Sequence, residues 1–329
     1  MNVNKFGIFF MKKFLLIFLV PIIFTHLSYA QRKEMYKAYE DSIFKLHKEI
    51  LLEQNIILKY QKNETLLFLM EEALEQKNSI NYPFDSLRTI SIITSPDKKV
   101  RIFTWYLIDD AGKHDHFGYI QAFNEQKDRY VIYALSDKWQ QLVNPPNKIL
   151  DYLSWYGAVY YKIIETEINN EKYYTLLGWN GGTLFSQFKV IDVLSFNNKG
   201  NPVFGAFIFR GYGKGKPARI IFEYAKKSSF TLNYDKQGYE QRSTKRSRSD
   251  YQYRIDTLYT RMIIFNHLIP MDESLKDVPQ YYVGESSMND GFLEKDGRWY
   301  FKAGVLGRNP DKPLPKYNFK LKQFYQRGN

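Results

Sequence analysis

"FTWYLIDDAGKHDHFGYIQAF" (Phe103–Phe123) sets two apolar, aromatic runs on either side of a polar bend. "FTWYLI" and "HFGYIQAF" are rich in Phe, Tyr, Trp and Ile, which suit a pleated, half-buried surface. "DDAGKHD" between them supplies the Asp and Gly that let a chain reverse. The stretch predicts two antiparallel strands and their turn. The same pattern recurs outward on both sides. "ISIITS", "KVRIFTWYLI", "RYVIYALS", "AVYYKIIET", "KYYTLLGW", "FKVIDVLSF", "PVFGAFIF", "ARIIFEYA", "SFTLNYD", "TRMIIFNHL", "YYVGES" and "RWYFKAGV" are runs of this kind. They are parted by "SPDKK", "INNE", "NGG", "NNKGN", "GYGKGK", "YDKQG" and "EKDG". About a dozen strands in sequence-adjacent hairpins predict a mainly β protein, with one large antiparallel domain over residues 81–307. A sandwich, a twisted sheet and a propeller-like arrangement all fit this text, and no fixed period marks a repeat array.

Before that domain the pattern is helical. In residues 31–80, Ile43, Leu46, Ile50, Ile57, Tyr60, Leu67 and Met70 recur at spacings of three and four, with charges between them and no Gly or Pro from Gln31 to Asn78. One or two amphipathic helices are expected. The break is expected near Lys62–Thr65, where Asn63 could cap the second helix. These helices either pack on the β domain or offer a coiled-coil surface to a partner, which would make the chain a structural component of an envelope complex. "NYPFDSLRT" (Asn81–Thr89) ends the helical pattern.

Residues 1–30 read as a signal peptide. Lys12 and Lys13 precede the apolar run "FLLIFLVPIIF", and Ser28 and Ala30 stand at the small-residue positions of a cleavage site. The run is too short for about 30 Å of hydrocarbon and contains Pro21, so no mature transmembrane segment is expected. Met11 offers a second possible start. Export to the periplasm or the cell exterior follows. The sequence contains no cysteine, which excludes disulfides, thiolate nucleophiles, iron–sulfur clusters and Cys-ligated zinc. Removing Lys5, Lys12 and Lys13 with the leader lowers the formal charge by three, from +12 to +9. That charge suits an anionic partner, and residues 308–329 form a basic tail. Export argues against nucleic acid as a partner and points to acidic glycans, an anionic envelope surface or an envelope protein.

Few residues advertise chemistry. "FRGYGKGKPAR" (Phe209–Arg219) resembles a phosphate loop in composition only. It is one residue short of the GxxxxGK[ST] spacing, Pro217 replaces the hydroxyl, and a strand rather than a helix follows. It reads as a charged hairpin turn, with Lys214 and Lys216 as weak anion contacts beside Arg246 and Arg248 of the basic segment "STKRSRSDYQYR". No cofactor is expected. A divalent metal is the exception, because His114 and His116 alternate onto one strand face and Asp110 (or Asp109) could reach them across the turn. Asp192, acidic in an apolar strand, implies either a buried ion pair with an arginine or half of a glycosidase carboxylate pair. His267 in "IIFNHLIP" is a structural histidine or a base. Trp179 and Asn180 in "GWNGG" are expected at an exposed strand end, suited to a sugar.

The segments "WYGAVYYKIIE", "YYTLLGWNGG", "KVIDVLSF", "PVFGAFIF", "RIIFEYA" and "IIFNHLIP" resemble a family of exported proteins of Bacteroidota, over Asp85 to Val305. The resemblance implies an exported, β-rich architecture and no activity, substrate or catalytic residue. That family often carries aspartate where Asn266 stands, so no acidic role passes to this position. The expectation is an exported binding or envelope-interaction protein for glycan or anionic groups. A hydrolase of glycan or ester bonds, using Asp192 or the His114/His116 cluster, is the alternative.

Overall fold

The computed structural model describes residues 31–213, 215–242 and 255–306. The leader, Lys214, Arg246, Arg248 and the basic tail lie outside these residues. The chain opens with two helices, α1 (31–52) and α2 (Ile56–Glu75). They part at residues 53–55 rather than at Lys62–Thr65: Asn55 accepts the Leu58 amide with its side chain and caps α2. Asn63 lies within α2 because its buried side chain is needed elsewhere, accepting the Trp105 indole N–H at 2.9 Å.

Among the described residues fifteen strands follow: β1 (Ser91–Thr94), β2 (Val100–Ile108), β3 (His114–Asn124), β4 (Arg129–Ala134), β5 (Leu150–Asp151), β6 (Val159–Ile168), β7 (Glu171–Asn180), β8 (Ser186–Phe196), β9 (Pro202–Phe204), β10 (Phe209–Arg210), β11 (Ile220–Ala225), β12 (Leu232–Arg242), β13 (Ile255–Pro270), β14 (Tyr282–Lys295) and β15 (Arg298–Val305). The opening hairpin pairs Phe103 with Tyr119 and Trp105 with Phe117 across β2 and β3. Three sheets result: β1-β2-β3-β4; β5-β9-β8-β7-β6, with β11 also on β8; and β10-β15-β14-β13-β12. The protein is mainly β and antiparallel, and among the described residues no barrel closes. The short β10–β15 pair runs parallel.

Alternation along the strands stacks these elements into layers. Phe103, Trp105, Leu107 and Tyr119 face the helices and pack with Ile43, Ile50, Leu66 and Met70. Val100, Ile102, Ile120 and Ala122 face the other way, onto Tyr160, Tyr174, Leu176, Val190 and Leu194 of the second sheet. That sheet turns Leu177, Ile191 and Val193 toward Phe265, Phe292 and Trp299 of the third. Its central strands are therefore apolar on both faces, as "TLLG" and "VIDVL" require. Among the described residues no helix is long and apolar enough to cross a membrane.

The segment Phe209–Arg219 is not a hairpin turn. β10 belongs to the third sheet and β11 to the second, so the glycine-rich run is a crossover between layers. Tyr212 packs against Phe222, Phe265, Phe292 and Phe301, and Arg219 is buried, which fixes both ends of the run in separate places.

Candidate functional site

His114 and His116 stand on the face of β3 that meets the second sheet, and both are buried. The His116 Nδ1 lies 2.9 Å from Asp137 Oδ2, which also accepts the His116 amide. Asp137 Oδ1 takes the Trp139 amide. Gly157, at φ +73°, makes room for this carboxylate, since a Cβ there would stand 2.3 Å from Asp137 Oδ1. His114 lies flat between Tyr106, stacked at 5.2 Å, and Gly181, where a Cβ would meet the ring at 1.9 Å. Burial, helped by the nearby Lys226 charge, holds the His114 imidazole down to about 4. Asp110 does not join the two histidines. Among the described residues no three His, Cys, Asp or Glu side chains gather around a common metal position. Asp109 instead folds onto its own turn, accepting the Ala111 and Lys113 amides. Sequence spacing gave no hint of Asp137, which comes from beyond β4.

Asp192 has no exposed surface. One oxygen accepts Arg219 Nε at 3.1 Å and the Val193 amide, and the other accepts the Tyr160 hydroxyl at 3.2 Å. Arg219 spends its remaining donors on the carbonyls of Pro145, Lys148 and Phe204. This is an interior ion pair with no lone pair turned to a substrate, so the catalytic candidate becomes a structural one. His267 sits at a bulge in β13, its imidazole 45% exposed and its Nδ1 2.7 Å from the buried Asp290. Among the described residues no serine or threonine hydroxyl bonds its other ring nitrogen. Asn266 binds the Thr231 amide and hydroxyl and reaches Asn289 and the Glu285 carbonyl, so it ties strands together.

Trp179 and Asn180 do not form an open sugar platform. Trp179 is half-buried, with its indole N–H bound to Gln187 and its ring edge-on to Tyr106 and His114. Asn180 is buried, donating to the Gly157 carbonyl and accepting the Gly182 amide, both at 2.8 Å. The residues were expected at a strand end, and they are, but the neighbouring layer covers that end. Lys216 is exposed on the crossover.

Concave surface lies elsewhere, around the segment between α2 and β1. Three adjoining clefts of about 960, 620 and 520 Å3 share Asn81 as a wall. Tyr36, Tyr82, Phe123 and Tyr130 line them with the amides of Asn78 and Gln121. The segment is held rigid from behind. Glu40 accepts the Tyr82 hydroxyl and the Ser86 amide, both at 2.6 Å. Arg101 donates to the Tyr82 carbonyl at 2.6 Å, the Ser79 carbonyl at 2.8 Å and Gln121 Oε1 at 2.9 Å. Arg101 lines the middle cleft; its guanidinium lies over the rings of Phe103 and Phe84 and leaves its Nε without a partner. Among the described residues no carboxylate pairs with it, and burial draws its pKa down toward about 10.

Compared with protein-family models, curated proteins and solved structures, the chain matches none.

The chemical reading therefore rests on geometry. Sequence reasoning placed its sugar-binding ring at Trp179, which is covered; Trp105, Trp155 and Trp299 are fully buried core residues. Of the rings at the clefts, Tyr82 lies in a segment that reads as a mere linker, while Tyr36, Phe123 and Tyr130 come from α1, β3 and β4. The one available signal was the density of Asn and Tyr in "KNSINYPFD" (Lys77–Asp85).

Proposed function

We propose that this is an exported binding protein that takes an acidic glycan in the clefts around Lys77–Asp85. The observation carrying the reading is Arg101, a buried cation with no acidic partner among the described residues, set behind a surface of aromatic rings and amides. An anionic group in the adjoining cleft would supply the missing counter-charge, while Tyr130 offers a ring to a sugar and Asn78 and Asn81 offer hydrogen bonds to hydroxyls. Six basic side chains line the three clefts (Arg32, Lys33, Lys77, Lys98, Arg101, Arg129) against four acidic ones (Glu40, Glu75, Asp85, Asp128), which favours an acidic over a neutral sugar. Glu40 is already engaged by Tyr82 and Ser86.

Calorimetric titration with carboxylated, phosphorylated and neutral oligosaccharides tests this. Tyr130→Ala is expected to weaken binding of an acidic sugar about tenfold, the worth of one ring contact. Asn81→Ala is expected to weaken it severalfold, and part of the signal should persist at high salt because the site is shaped. Binding that disappears entirely with salt and ignores both substitutions would move the activity to the basic surface. The hydrolase reading has one specific support, the oriented His267–Asp290 pair, and no concave surface beside it among the clefts described above.

A further inference from the structure

A fourth cleft, of about 600 Å3, opens where three hairpin turns of the first two sheets meet. They are the β3–β4 turn (125–128), the β6–β7 turn at Asn169 and Asn170, and the β8–β9 turn (197–201). Side chains fix the first of these against the third. Gln126 Nε2 donates to the Asn198 carbonyl, Asn124 Nδ2 to the Lys199 carbonyl at 3.3 Å, and the Tyr133 hydroxyl to the Gly200 carbonyl at 2.7 Å. Gly200, at φ +73°, permits this approach, since a Cβ there would stand 2.2 Å from Asn124 Nδ2. The β6–β7 turn is tied in from its other side, where Lys172 Nζ meets Asp97 at 2.8 Å. The walls are therefore set without a ligand, which spares a ligand the cost of ordering them.

The turns themselves account for some of the asparagines. Asn169 (φ +52°) and Asn170 (φ +66°) hold a two-residue turn that is left-handed at both positions, and Asn197 Oδ1 accepts the Lys199 and Asn201 amides. Those roles leave amide groups over. Asn170, Asn197 and Asn198 are exposed, and among the described residues the side chains of Asn170 and Asn198 and the Asn197 Nδ2 bond no protein atom. A side-chain amide both donates and accepts, as a sugar hydroxyl does. Tyr173 and Phe196 add half-buried rings to the lining, with Phe196 meeting Tyr174 edge-on. The charges in the lining cancel. Lys99 pairs with Glu125 at 2.7 Å, Lys172 reaches Glu165 at 2.6 Å as well as Asp97, and Glu171 accepts the Tyr173 hydroxyl. Two basic side chains (Lys99, Lys172) against two acidic ones (Glu125, Glu171) leave no net charge to draw a carboxylate or phosphate, unlike the basic excess of the other clefts. We propose that this cleft is a second carbohydrate site, taking uncharged pyranose units through amide hydrogen bonds and ring contact. Phe123 lines both this cleft and the one of about 960 Å3, so the two are neighbours, but the second site rests neither on Arg101 nor on the acidic-sugar reading.

Calorimetric titration of the whole mature chain with uncharged hexasaccharides of glucose, mannose, xylose and N-acetylglucosamine, beside hexagalacturonate, tests the assignment. At least one neutral hexasaccharide is expected to bind, with an affinity that changes by less than about twofold between low and high salt because no charge is paired. Asn198→Ala and Asn170→Gly, the glycine keeping the left-handed turn, should each weaken that binding about fivefold and together more than about tenfold. Asn81→Ala, in the other clefts, should leave it unchanged. The wild-type complex supplies a readout that needs no variant: hydrogen exchange should slow in the three turns on binding. Failure of every neutral hexasaccharide to bind at millimolar concentration, binding that ignores the double variant or is lost with salt, or protection at Lys77–Asp85 in place of the turns would each overturn the proposal. The two sites fail separately. The acidic-sugar reading falls when hexagalacturonate ignores Asn81→Ala and Tyr130→Ala, and the neutral site falls when its hexasaccharide ignores Asn170→Gly combined with Asn198→Ala.

Discussion

Asp97 gathers four donors from two parts of the chain, its own turn and β7: the Ser95 hydroxyl, the Lys99 amide, Lys172 Nζ at 2.8 Å and the Tyr174 hydroxyl at 2.9 Å. Burial pushes this carboxyl up, but the four hydrogen bonds outweigh it and hold it at about 2. The folded value lies below the unfolded one of about 3.9, so the group stabilises the fold above pH about 4, and that contribution fades as pH falls toward about 2. Asp97→Asn should therefore lower stability near neutrality by about 1.5–3 kcal/mol. In denaturant titrations its difference from wild type should shrink between pH about 4 and about 2; a constant difference would mean the charge is not the source. For the interior pair, Arg219→Met should cost about 3–5 kcal/mol by stranding Asp192, and adding Asp192→Leu should restore part of it. Equal losses for the single and double variants would count against that account. Asp192 was legible as an acid needing a partner, because its strand is apolar on both sides. That the partner is Arg219 was not, since the pairing depends on how a later crossover lies over β8.

At the level of elements, hydrophobic spacing located α1 and α2 but misplaced their junction. Asn55 and Asn63 carry the same capping chemistry, and only contact with Trp105 distinguishes them. The helices are a true layer of the core, with Leu66 fully buried against the first sheet. Leu66→Ala should destabilise the chain by about 2–5 kcal/mol, measured by chemical denaturation. A loss under 1 kcal/mol would mean the helices add little to the fold. The run Phe209–Arg219 shows the opposite limit. Its glycines at φ +75° (Gly211), +63° (Gly213) and +99° (Gly215) were readable as a bend, yet composition alone does not tell a bend within one sheet from a passage between two.

For the molecule as a whole, the second sheet is the shared wall of two cores. Native-state hydrogen exchange should accordingly be slowest in β7 and β8, where protection reports global unfolding, and faster in β10 and the outer end of β12. Uniform protection across the three sheets would show that the layers do not differ in this way. Strand chemistry made the antiparallel class plain, but the order of layers depends on contacts between residues far apart in sequence, such as Trp299 with Thr175. The same burial governs the chemical ageing of the chain. Asn180-Gly181 is the kind of dipeptide that deamidates readily when its backbone is free, because the glycine amide nitrogen can attack the asparagine side chain. Here the Asn180 amide is locked by the Gly157 carbonyl and the Gly182 amide beneath the first sheet. Deamidation at this bond should stay negligible in the native protein and begin when the layers separate, so isoaspartate at position 180 would keep a permanent record of how often each molecule has opened.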